Sequence, residues 1–192
     1  AATTKTMANV IHFLDYLASH PDATIRYHAS DMILNIHSDA SYLSASRGRS
    51  RAGGHFFLGW NPEKTKPIWL NCQILLLCKI LKFLASSAAE AKLGALFLNT
   101  RQAHILRLTL DKLGHPQPPS PINCDNETAV GICNGTVKRQ QSRLMEMRYF
   151  YVADQVDNKI IDVRWASGAE NMGDCYTKHF MAPHHHCVHP IY

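Results

Sequence analysis

The sequence predicts an α/β fold: a five-stranded mixed sheet, three antiparallel strands followed by parallel β-α-β units, with helices on both faces. Three observations predict it. Strand-like runs follow one another closely over residues 31–80, and short connections of that kind imply antiparallel pairing. From residue 86 onward helix-like and strand-like runs alternate, the pattern of crossover connections. Hydrophobic residues make up 46% of 192 positions, enough for one domain with a real core and too many for a disordered chain.

The opening strand is Asp31–Ser41 (DMILNIHSDAS), where Met32, Leu34 and Ile36 alternate with Asn35, His37 and Asp39. That is the period-2 signature of a half-buried strand, here with a carboxylate at its far end. Leu43–Ala52 reads as a polar, basic loop carrying Arg47, Arg49 and Arg51, and Gly53–Trp60 as the second strand. Gln73–Lys79 is apolar enough for a third, central strand. Ser86–Gly114 is the longest helical pattern; Ser87 with Glu90 three residues on fits a capping box, and Gly114 with Pro116 ends it. Glu90, Leu93, Gly94 and Phe97 share one face, the face expected to meet the sheet. Pro121–Asp125 is a short strand that again ends in Asp. Helical patterns follow at Asn126–Asn134 and Leu144–Gln155, then a strand at Lys159–Trp165 and a short helix capped by Asn171, running through Lys178 and ended by Pro183.

Ahead of these, Thr4–His20 has apolar residues at helical spacing, stopped by Pro21, and Ala23–Ala29 alternates weakly as a short strand would. Three units result: an N-terminal helix and linker over residues 1–30, a main domain over 31–182, and a His-rich tail over 183–192. The tail's His184, His185 and His186 are read as flexible. No apolar run reaches membrane-spanning length, and the N-terminus AATTKTMANV lacks a signal peptide. It also lacks an initiator Met, which suggests a piece of a longer polypeptide. The six cysteines include no C-x-x-C pair, so a zinc ribbon is not indicated and free intracellular thiols are expected. A formal net charge of +5 suits an anionic partner.

Four acids stand at comparable places: Asp39 and Asp125 end strands, while Glu90 and Asp174 open helices. If the strands ending in Asp39 and Asp125 are parallel neighbours, all four reach one edge of the sheet. Carboxylates so gathered repel unless cations sit among them. Oxygen-only donors select hard divalent ions, two Mg²⁺ or Mn²⁺, and paired ions of this kind drive in-line phosphodiester cleavage.

The words SDASYL, SSAAEAKLGALF, CDNETAV and NMGDCYTKH, in that order, resemble the ribonuclease H domain of copia-type LTR retrotransposon polyproteins, from Asp31 to the tail. The resemblance implies the ribonuclease H fold and endonucleolytic hydrolysis of the RNA strand of RNA–DNA hybrids. It makes Asp39, Glu90, Asp125 and Asp174 the catalytic, metal-binding tetrad. It also makes the opening helix the end of a reverse transcriptase connecting region, so the upstream reverse transcriptase domain is an expected partner and a cytoplasmic retrotransposon particle the expected location. Ser41 and Asn126 are candidates for reading 2′-hydroxyls. Arg47, Arg49, Arg51, Lys138 and Arg139 are candidates for phosphate contacts. Cellular relatives place a proton-ferrying His in the loop before the last Asp; here that loop is ASGAEN, and Glu170 is the candidate shuttle. The alternative function is a non-catalytic or polymerase-dependent nucleic-acid-binding module on the same fold.

Overall fold

Strand β1 (Ile33–Ala45) lies at the centre of the sheet. The structure, a computed structural model, describes residues 3–22, 24–60, 69–136 and 146–188. On one side β1 pairs antiparallel with β2 (Arg49–Gly59), which pairs antiparallel with β3 (Gln73–Ile80). On the other it pairs parallel with β4 (Ser120–Cys124), which pairs parallel with β5 (Ile161–Trp165). The order β3-β2-β1-β4-β5 is the expected five-stranded mixed sheet.

Two expectations about the strands are corrected. β3 is an edge strand, not a central one: Ile74, Leu76 and Ile80 are exposed, and only Leu77 within the strand is fully buried. An apolar run alone does not tell edge from centre. The basic loop Leu43–Ala52 is mostly ladder. β1 runs on to Ala45 and β2 begins at Arg49, with the reversal confined to Ser46–Gly48. Arg47 and Gly48 take φ of 60° and 66° there, and two successive left-handed residues match the twist of paired strands. The polar side chains hid this hairpin because its backbone hydrogen bonds need no apolar alternation.

β1 also differs from a half-buried strand. Residues 33–40 are buried on both faces, Asn35, His37 and Asp39 included. The two-sided burial shows at adjacent glycines of β2. A Cβ on Gly53 would lie 2.6 Å from the carbonyl oxygen of Gly173, while one on Gly54 would collide with Oδ1 of Asn99. Side chains alternate across a strand, so the sheet is covered on both faces. One cover is helix α2 (Ala88–Lys112), which carries Asn99; the other is a 3₁₀ turn, Met172–Tyr176.

The stripe of α2 that meets the sheet is not the one expected. Asn99 Nδ2 donates to Ser38 Oγ at 2.8 Å and to the Gly53 carbonyl at 2.9 Å, and Lys92 reaches β1 one register of seven earlier. Phe97 instead meets the Tyr151 ring edge-on at 5.4 Å, and Gly94 packs against Phe83. Tyr151 belongs to α4 (Glu146–Asp157), which follows α3 (Glu127–Cys133). The core, including Leu34, Ile36, Phe56, Leu96, Ile122 and Val163, lies between the sheet and these helices.

The remaining segments are pinned by polar contacts. Arg107 donates to the carbonyls of Pro118 and Gln117 and to Ser120 Oγ, fixing the proline-rich connector before β4. Thr24–Ala29 is not a strand; Asn71 holds it, accepting from His28 N at 3.0 Å and donating to the His28 carbonyl at 2.9 Å. The expected helix after Asn171 is the 3₁₀ turn, capped as expected by the Asn171 side chain. Pro183 does not end a helix but opens one: α5 (Ala182–Val188) makes part of the His-rich tail helical, and a first-turn proline needs no N–H. Helix α1 (Thr4–Ser19) has no buried residue, and Met7, Ile11, Phe13 and Leu14 are exposed. Among the described residues no helix is long and apolar enough to cross a membrane, and all six cysteines are free.

Candidate active site

The parallel register of β1 and β4 pairs Ile36 with Ile122 and His37 with Asn123. Carried forward, the same offset sets Asp39 level with Asp125, one residue past the end of β4. Asp174 arrives from the 3₁₀ turn. That turn lies so close to β1 that a Cβ on Gly173 would be 3.0 Å from Asp39 N. Asp39, Asp125 and Asp174 each present a carboxylate oxygen within 4.8 Å of the others.

Two lysines and a threonine answer this charge. Lys92 Nζ donates to Asp39 Oδ1 and, at 2.5 Å, to Asp125 Oδ1. Lys178 Nζ donates to Asp174 Oδ2 at 2.7 Å, and the Thr177 hydroxyl donates to Asp39 Oδ2. Burial alone would push the Asp39 carboxyl up, but the Lys92 ammonium and the Thr177 hydroxyl outweigh it and hold it below the usual carboxylate range. Burial likewise opposes the charge on Lys92; its two carboxylates reverse that and raise its pKa. Asp174 goes the other way. Burial pushes it up to about 6; Lys178 opposes the rise and the Asp39 carboxylate adds to it. Its Oδ1 is buried and no hydrogen-bond donor reaches it among the described residues. Crowded hard oxygens with one orphaned lone-pair site are a donor set that fits a divalent ion.

Glu90 is not one of the three gathered carboxylates. Its Oε2 accepts from Ser86 N at 2.5 Å and from Ser86 Oγ, while Ser87 Oγ accepts from Glu90 N at 3.1 Å. It therefore turns back along its own helix end, bonding the residue before the Ser87 cap and not the cap's own N–H as a full capping box would. Ser41 and Arg51 pair across the β1–β2 ladder two residues beyond Asp39 and Gly53, on the face of the sheet that carries Asp39. Arg47 and Arg49 are exposed at the hairpin end. Ser41 Oγ lies 2.5 Å from Ser44 Oγ. The Asn126 side chain caps α3 by accepting from Ala129 N at 2.8 Å. Glu170 is exposed at the end of the 3₁₀ turn Gly168–Glu170, where a Cβ on Gly168 would be 3.6 Å from Asp125 Oδ2. Lys138 and Arg139 lie outside the described residues.

Below the acids, on the same face, lies a buried polar layer. His37 Nδ1 accepts from Met172 N at 3.1 Å, and the Asn123 amide lies 3.2 Å from its Nε2. His55 contacts the Tyr176 hydroxyl at 2.9 Å and the Asn71 carbonyl at 3.3 Å. Burial and the neighbouring His55 push His37 down to about 3, and burial pushes His55 down to about 4. Both imidazoles are neutral near pH 7, and together with Tyr176 and Met172 they seat the turn that carries Asp174.

A ribonuclease H1 isolated from compost, LC11-RNase H1, superposes with a TM-score of 0.53 over 76% of this chain and 92% of its own, at 15% identity. The fold is that of ribonuclease H. The N-terminal ribonuclease H domain of Rv2228c from Mycobacterium tuberculosis agrees, with a TM-score of 0.52 over 76% of this chain and 91% of that one, at 14% identity. At such identities the likeness is one of fold. In sequence the chain is similar to a retrovirus-related Pol polyprotein from transposon TNT 1-94 of Nicotiana tabacum, 24% identical over 165 residues. The match covers 86% of this chain and 12% of the polyprotein. No family model matches the chain.

Sequence reasoning passed over Lys92, Thr177 and Lys178, although all three lie inside the quoted words. Lys92 had a signal: a lone charge within the small and apolar run Ala91–Leu96.

Proposed function

We propose that the chain is a metal-dependent endonuclease that hydrolyses the RNA strand of RNA–DNA hybrids during the reverse transcription of a copia-type retrotransposon. The observation that carries this reading is the meeting of Asp39, Asp125 and Asp174 at the ends of the parallel strands of a ribonuclease H fold. These three would hold a divalent ion; Glu90, two positions from Lys92 and turned to Ser86, would complete the tetrad for a second only if the N-terminal end of α2 were remade. Bound in such a site, two Mg²⁺ or Mn²⁺ ions activate the attacking water and stabilise the leaving 3′ oxygen. The buried His37–His55 layer fixes the Asp174 turn, so the third carboxylate is positioned before any ion arrives. Ser41 and Arg51, on the Asp39 face, and Arg47 and Arg49 at the hairpin end would line the path of a nucleic-acid backbone past the acids. Contacts to 2′-hydroxyls would select RNA. Glu170, exposed in the turn whose Gly168 lies near Asp125, would exchange protons with water. Helix α1, with its apolar side chains exposed, would dock on the upstream reverse transcriptase.

A second reading, a module that binds hybrid and cleaves it only with the polymerase or not at all, is favoured by one observation: Lys92 and Ser86 engage three of the four acids. The test is a gel assay on a labelled RNA–DNA hybrid, duplex RNA and duplex DNA, in Mg²⁺ and Mn²⁺ with an EDTA control. Metal-dependent cutting of the RNA strand in the hybrid alone supports the first reading. Hybrid binding with no cutting supports the second.

A further inference from the structure

We propose that the Lys92 ammonium is a tethered occupant of the cation position between Asp39 and Asp125, so that a divalent ion enters only by displacing it and the chain binds such ions weakly. This rests on the reading of the three aspartates as the metal position.

The geometry gives the reason. Lys92 Nζ bridges one oxygen of each carboxylate, the oxygens a divalent ion would take. An ion at the ~2.1 Å carboxylate distance typical of Mg²⁺ would stand against the ammonium, and two cations cannot share those lone pairs. The two lysines of the site differ in how easily they leave. The Lys178 side chain is 42% exposed and can swing into solvent, whereas that of Lys92 is 10% exposed. Lys92 rises from the sheet-facing stripe of α2 between the buried residues Ala91 and Leu93, so withdrawing it means repacking the helix end. Yet the ammonium serves the cluster incompletely. Among the described residues it reaches, of the three acids, Asp39 and Asp125, and Asp174 Oδ1 stays buried without a donor. A divalent ion could satisfy all three carboxylates at once, which is why removing Lys92 should favour it.

The test measures metal, not turnover. Mn²⁺ binding to the full 192-residue chain is followed by loss of the free-ion EPR signal, for wild type, Lys92→Gln, Lys92→Arg and the double variant Lys92→Gln/Asp125→Asn. Lys92→Gln is expected to bind Mn²⁺ at least about tenfold more tightly than wild type, since a charge-assisted bridge no longer competes. Lys92→Arg should be no tighter than wild type, and the added Asp125→Asn should erase the gain. Thermal melts should show Mg²⁺ raising the Tm of Lys92→Gln more than that of wild type. Equal, tight binding by wild type and Lys92→Gln overturns this proposal and leaves the nuclease reading standing. No binding by either overturns both. Should Lys92→Gln fail to fold, wild type decides through ¹⁵N-lysine NMR. A Lys92 ammonium signal that shifts to its solvated position as Mg²⁺ is added supports displacement, and one that stays put through the titration overturns it.

Discussion

Lowering the pH from 7.5 to 5 should destabilise this fold by about 3 kcal/mol, mainly through two histidines buried beneath the acids. His37 and His55 are held to about 3 and about 4, against 6.5 for a free imidazole. A histidine whose folded pKa is depressed contributes stability that is complete above the unfolded value and is lost as the pH falls from that value toward the folded one. The window therefore runs from pH 6.5 down to about 4 for His55 and to about 3 for His37. At pH 5 the unfolded chain has bound both protons and the folded chain neither. At 1.36 kcal/mol per unit, the 1.5 units below 6.5 cost each site ~2 kcal/mol. Burial is the main cause at both sites; at His37 the Met172 N–H already faces Nδ1, so protonation there would also set donor against donor. Asp174 works the other way. Its carboxyl is raised to about 6, so acidification relieves a folded-state penalty. It is only partly buried, and solvent screening cuts that relief to under ~1 kcal/mol. Asp39, held below the usual range, loses its contribution only at pH values under about 4. Urea denaturation followed by tryptophan fluorescence at pH 7.5, 6.5, 5.5 and 5 measures the slope, and replacing His55 with Gln should roughly halve it. Stability that is flat, or that rises on acidification, would refute the claim that both imidazoles are buried neutral.

Asp39→Asn or Asp125→Asn should abolish hybrid cleavage while leaving a folded chain, because Lys92 keeps its other carboxylate; far-UV circular dichroism and the gel assay check the two halves, and retained cleavage would remove that residue from the site. Thr177→Val should lower stability by ~1–3 kcal/mol, since Asp39 Oδ2 is buried and loses its donor; a denaturation midpoint within error of wild type would contradict this. Gly54→Ala should destabilise by at least ~1–3 kcal/mol, because the new methyl collides with Asn99 and the two elements it separates cannot both give way; a melting curve reads it. Replacing Arg47, Arg49 and Arg51 with Ala should weaken hybrid binding and reduce its salt dependence, by a slope of ~0.9 for each lost phosphate contact; an unchanged slope in a filter-binding series from 50 to 200 mM salt would show that the hairpin touches no backbone.

The strands that carry Asp39 and lead to Asp125 were legible because period-2 alternation and a nearby acid are local features. So was the Asn171 cap ahead of Asp174, though the segment it opens is a 3₁₀ turn and not the expected helix. What escaped was set by pairing. Polar residues 41–52 show no alternation, yet the hairpin ladder runs through most of them. Asn35 and His37 looked solvated because polar side chains on a strand usually are; packing over that face buries both, with the Met172 turn covering His37. The sheet-facing stripe of α2 was misread for a similar reason. Glu90, Leu93 and Phe97 form a helical face as regular as Lys92 and Asn99 do, and spacing cannot say which one meets the sheet. The lone lysine in a run of small residues was the better clue.

Helix geometry makes that misreading matter chemically. Residues two apart on an α-helix point about 200° away from each other, so α2 cannot turn Lys92 and Glu90 to the acids equally well. With Lys92 on the sheet-facing stripe, Glu90 falls to the Ser86 side and becomes a cap. A lysine between two aspartates is worth having for the empty fold, because three gathered carboxylates with no cation would repel one another. The same lysine stands where catalysis would need an ion. On the proposed reading the demands of stability and of metal binding meet at one side chain, and the occupancy of the position between Asp39 and Asp125 would decide whether the fold is a nuclease on its own or a hybrid-binding module that needs its site remade by a partner.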